Sequence, residues 1–91
     1  MTMIPSIGRI VAYKISEGDA QNIGAIRGRA ASAGNPISAG DVYPAMIVRT
    51  WGKTAESCVQ LQVFLDGPDT YWATSRNQGT ELGQWSEPAR V

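Results

Sequence analysis

The chain has 91 residues, 43% hydrophobic and 18% charged, with eight basic side chains balancing eight acidic ones. That predicts one thin-cored domain over residues 1–91, with enough apolar side chain to offset chain entropy and no overall field drawing it to a nucleic-acid backbone or an anionic membrane. Histidine is absent and Cys58 is the only cysteine, which excludes an intrachain disulfide, a Cys/His zinc site and the Ser–His and Cys–His dyads, and suits a reducing compartment.

Met1 to Pro5 lacks the charged and then greasy regions of a secretory signal, and apolar runs elsewhere stop within a few residues at a charge, Gly or Pro. A cytosolic protein with no membrane span is expected. From Gly8 to Ile15, Arg9, Val11, Tyr13 and Ile15 alternate with Ile10, Ala12 and Lys14, the period of a strand. Ser16 and Asp19 stand three apart ahead of a stretch, 19–31, that reads as a short helix with an acidic first turn and a basic end. Gly24 and Gly28 each cost about 1 kcal/mol relative to Ala inside a helix, so residues 16–40 are predicted as a helix or loop insertion that orders when something packs on it. Ser32 to Asp41 has the composition of a linker.

Val42 to Trp51 predicts a second strand, with Ala45, Ile47, Arg49 and Trp51 opposed to Met46, Val48 and Thr50. Pro44 cannot donate a ladder hydrogen bond, so it belongs at that strand's start or on an edge. After the polar turn 52–57, Cys58 to Leu65 alternates with Val59, Leu61, Val63 and Leu65 on one face, which predicts burial of that face only. Asp66-Gly67-Pro68-Asp69 is a tight turn into a fourth strand, Thr70 to Ser75. A glycine-bearing loop, 76–83, then leads to a last short segment with Trp85 and Pro88.

The fold class is therefore mainly β: a small five-stranded SH3-like barrel, or a bent antiparallel sheet with one short helix or long loop inserted after the first strand. The barrel is the more economical form, because closure removes exposed strand edges.

No catalytic residue, metal or cofactor is predicted. Asp66 and Asp69 read as turn residues that bond the backbone, and Asp41, Asp66, Asp69 and Glu81 match no calcium-loop spacing. Gly24 to Gly34 lacks the strand–turn–helix setting and the Lys-Ser/Thr ending of a phosphate loop, and Cys58 has no base to activate it. Binding features carry more. Both parities of the fourth strand hold an aromatic, Tyr71 and Trp72, so at least one ring lies outside the core unless a partner covers it. Arg49 shares a strand parity with Trp51, Arg27 and Arg29 end the helical segment, and Arg76 follows Thr74 and Ser75. Guanidinium groups beside hydroxyls and indoles suit a phosphate and a stacked base. The candidate ligand-binding residues are thus Arg27, Arg29, Arg49, Trp51, Trp72, Thr74, Ser75 and Arg76, and the ligand class is a small nucleotide-type anion, not a long nucleic acid.

In DVYPAMIVRTWG, VFLDGPDTYWATS and GQWSEPARV the chain resembles a group of small tailed-phage and prophage proteins marked by IVR-x-WG, VF-x-DG and W-x-TS motifs and a Trp-Pro tail. The resemblance covers roughly residues 6–15 and 41–91. It implies a non-catalytic phage protein in the host bacterial cytoplasm or, alternatively, in the virion. Two readings follow: a homo-oligomer that sequesters a small nucleotide-type immune signal to counter bacterial defence, or a structural or protein-interaction module whose partner is a host or virion protein.

Overall fold

The alternating segments pair into one five-stranded antiparallel sheet in the computed structural model, which describes residues 3–28 and 34–88. The strands are β1 (Ile10–Lys14), β2 (Val42–Thr50), β3 (Val59–Phe64), β4 (Thr70–Arg76) and β5 (Trp85–Ser86), with one helix, α1 (Glu17–Arg27), between β1 and β2. Their order across the sheet is β4-β3-β2-β1-β5. The mainly β class holds, and of the two expected forms the open sheet is the one formed. A barrel would require β4 to close on β5, but β5 is only two residues long and α1 already covers the core-facing side of the sheet.

The insertion leaves and rejoins the sheet at adjacent points. The Ile15 amide donates to the Asp41 carbonyl and the Gly40 amide to the Ile15 carbonyl, each at 2.8 Å. β1 and β2 can therefore pair as a wide hairpin whose loop carries the helix. Ser16 caps α1 with a full capping box: its hydroxyl accepts from the Asp19 amide at 3.0 Å while the Asp19 carboxylate accepts from the Ser16 amide at 3.1 Å. The helix has Gly28 at its C-cap, and residues 29–31 of the expected stretch lie outside the described segments.

Register fixes the two faces. Val11, Ala45, Val63 and Tyr71 form one cross-strand row, and Ile47, Leu61 and Ala73 another, all buried. With Tyr13, Ile15, Val59, Leu65, Trp85 and Ile23 of α1 they make the core. Pro44 is the third residue of a central strand, yet it forfeits nothing. The Ile47 amide donates to the Arg9 carbonyl, so odd residues of β2 bond to β1 and the Pro44 nitrogen faces β3, one residue before β2–β3 pairing begins at Ala45.

Two bulges interrupt the alternation. Between Ile47 and Arg49 the β2–β3 register slips by one, and the β3–β4 register slips between Val59 and Leu61. The first turns Arg49 out of the core-facing parity of Ala45 and Ile47, so the expected grouping of those side chains ends at Ile47. The second places Ser75 at a left-handed φ of 56°, where a non-glycine residue is strained and needs support.

Candidate functional site

The inward face holds a polar hub as well as apolar side chains. The Asp19 carboxylate, 1% exposed, accepts hydrogen bonds from the Tyr13 hydroxyl, the Tyr71 hydroxyl at 3.0 Å and the Arg76 guanidinium at 2.8 Å, in addition to the Ser16 amide. Burial alone would push this carboxyl up, but the Tyr13 and Ser16 hydrogen bonds and the Arg76 charge outweigh it and hold Asp19 below its ordinary value of 3.8. Burial and the adjacent carboxylate push both phenols up in turn, Tyr13 the more strongly. The carboxylate is thus enclosed and saturated with donors from the fold itself, which ties β1, α1 and β4 together at one point.

A second ion pair ties the far end of α1 to the β3–β4 turn. Arg27 donates through Nε and Nη2 to the two Asp69 oxygens, each at 2.9 Å, and through Nη1 to the Asn35 carbonyl at 2.5 Å. The bidentate bond raises Arg27 and lowers Asp69 from their ordinary values. Asp66 is held in the same turn by Asn35. Close approach explains Gly34: a Cβ there would stand 2.6 Å from the Asp66 carbonyl oxygen and from the Gly67 Cα.

The opposite, helix-free face is the one open to solvent. Ile10, Met46, Gln62 and Trp72 form a cross-strand row on it, and Val48 and Phe64 lie in neighbouring positions of the same parity. Trp72 is 57% exposed, and Ile10, Val48 and Phe64 are exposed as well. At one corner Arg49 stacks on Trp51, its guanidinium carbon 3.9 Å from the ring centroid. The Gln60 side chain organises that corner: its carbonyl oxygen accepts from the Trp51 indole at 3.4 Å and from the Ser75 amide at 2.5 Å, which supports the strained Ser75 backbone.

The sequence-derived candidates therefore separate. Arg49, Trp51 and Ser75 gather at the open corner around Gln60, and Trp72 and Thr74 are exposed at alternate positions of β4. Arg27 and Arg76 are drawn to the helix-covered side as structural counter-ions. Arg29 lies outside the described residues. Sequence reasoning missed Gln60, which sits among apolar neighbours in a strand, and it read Asp19 as a helix cap alone. The signal for the hub was there: Tyr13 and Tyr71 both fall on buried parities, and buried tyrosine hydroxyls need a partner. Among the described residues no group of three or more Cys, Asp or Glu side chains is placed to hold a metal ion, and no helix is long and apolar enough to cross a membrane. No protein-family model, curated protein or solved structure matches the chain.

Proposed function

We propose that the chain is a non-catalytic binding module whose working surface is the helix-free face of the sheet, and that its partner is another protein. The observation that carries this reading is the row Ile10–Met46–Gln62–Trp72, flanked by exposed Val48 and Phe64. A sheet covered by a helix on one side and left apolar on the other has an unmet hydrophobic face, and an indole at its rim is a typical anchor in a protein interface. The resemblance to small tailed-phage proteins supports a virion or host protein as partner. The test is co-elution. Wild-type chain produced in its host should elute bound to another protein, whereas Phe64→Ser combined with Trp72→Ser, folded by circular dichroism, should elute free. Wild-type chain that elutes without any other protein would overturn the reading.

A second reading has its own support. Arg49 over Trp51, with Ser75 joined to the same Gln60 side chain as the indole, offers a stacking surface and a cation to a small nucleotide-type ligand. Calorimetry with cyclic dinucleotides and ADP-ribose derivatives tests it: heat lost in Trp51→Ala supports it, and no heat at protein concentrations of about 100 μM counts against it.

A further inference from the structure

We propose that β4 is a self-complementary seam along which a second copy of this chain adds its own β4, joining two five-stranded sheets into one. The inference is independent of what the open face binds.

The backbone of β4 shows which groups are unused. Leu65 and Asp69 continue the β3–β4 register, in which Val63 faces Tyr71 and Leu61 faces Ala73, and the Leu65 amide donates to the Asp69 carbonyl. In an antiparallel pair, hydrogen-bonded and non-bonded residue pairs alternate. Tyr71 and Ala73 thus turn their N–H and C=O groups toward β3, and Thr70, Trp72 and Thr74 turn theirs away from the sheet. Those three residues are exposed, and no loop or side chain among the described residues bonds to their backbone. β4 is an edge strand by topology.

This edge also lacks the usual protections. From Thr70 to Ser75 it carries no charge and no proline, and Thr70, Tyr71, Trp72 and Thr74 are of the β-branched and aromatic types that favour extended structure. The bulge and the left-handed Ser75 bend it only at the far end.

Its register with itself is determined. A twofold axis through Trp72 sets Trp72 against Trp72 of the second copy and Thr70 against Thr74, so every outward-facing residue meets another and each pair exchanges two backbone hydrogen bonds. On the helix side it sets the large Tyr71 beside the small Ala73, and on the open side it places Thr beside Thr, a favourable cross-strand pair. Moving the axis to Thr70 would put Trp72 opposite Pro68, which has no N–H to give. Moving it to Thr74 would draw the seam past Ser75, where φ is 56°. With the axis at Trp72 the two helices lie on the same side, and the exposed rows of both copies meet at adjoining indoles.

The experiment is sedimentation equilibrium of the full chain from about 1 μM to about 1 mM, a range that spans weak to moderate self-association. Wild type should reach twice the 9.8 kDa chain mass. Thr74→Pro, which removes an outward N–H without touching the β3–β4 ladder, and Trp72→Lys, which places two like charges at the axis, should both return to the single-chain mass, while Trp51→Lys should not. Hydrogen exchange on the unmutated protein checks the same seam without a variant that has to fold: the Thr70, Trp72 and Thr74 amides should exchange about tenfold slower at the high concentration than at the low one. A single-chain mass throughout, a dimer unaffected by both seam variants, or free exchange of those three amides within the dimer would overturn the proposal. Failure of partner co-elution leaves these outcomes intact, so the two readings are separable.

Discussion

Asp19 shows how one side chain takes a role that its position in the chain only half announces. As the third residue of the helix it completes a capping box, worth about 1 kcal/mol in an ordinary helix. Folding adds two phenols and a guanidinium from β1 and β4 to the same carboxylate. Asp19→Asn keeps the shape but removes the charge that compensates Arg76 and supplies an amide donor where the carboxylate only accepts. A loss of about 3 kcal/mol is expected, since breaking a buried ion pair on one side leaves the other charge unpaired. Urea midpoints of the two proteins measure it, and a loss below about 1 kcal/mol would show that the hub is not an anchor.

At the scale of the element, α1 is a weak helix made stable by its attachments. Its sequence, EGDAQNIGAIR, holds two glycines, and only Asp19, Ile23 and Arg27 are buried. Gly24 faces open space, with nothing within 4 Å of where a Cβ would stand. Gly24→Ala is therefore expected to stabilise the protein by up to about 1 kcal/mol, raising Tm by roughly 5 °C. At the other end, Arg27 and Asp69 join the helix to the β3–β4 turn, with side-chain exposures of 9% and 32%. A double-mutant cycle with Arg27→Ala and Asp69→Ala should return a coupling of about 1 kcal/mol, the top of the range for exposed pairs and below that of fully enclosed ones. The element was legible from Ser16, Asp19 and the basic end; that it lies on the sheet's inward side was not, because its two isoleucines diverge, Ile23 buried and Ile26 exposed, and leave only a faint apolar stripe.

For the molecule as a whole, the ionisable groups that change on folding set the pH response. Asp19 and Asp69 both sit below their ordinary carboxylate value of 3.8 in the folded state. Each contributes stability that is present above that value and is lost as pH falls through the lower, folded one. Without histidine, little titrates on folding between about pH 5 and 7. Stability should thus be nearly flat over that window and decline below about pH 4, and Asp19→Asn should flatten much of the decline. Urea titrations at half-unit pH steps check this; a transition near pH 6 would contradict it.

The strands and their buried parities were readable in the chain, because a period of two with Val, Leu and Ile on one parity admits a single pleat. The helix cap and the exposure of one aromatic on β4 followed from equally local rules. Which arginines stay free did not. Arg27, Arg49 and Arg76 look alike along the sequence, and only the fold carries Asp69 to the first, Trp51 to the second and Asp19 to the third. The same holds for the open sheet: strand patterning is silent on closure, which was settled by a two-residue β5 and by a helix that takes the side a barrel would have enclosed. Local sequence determines what a strand wants to bury. Contacts between residues dozens of positions apart decide what is left for a partner.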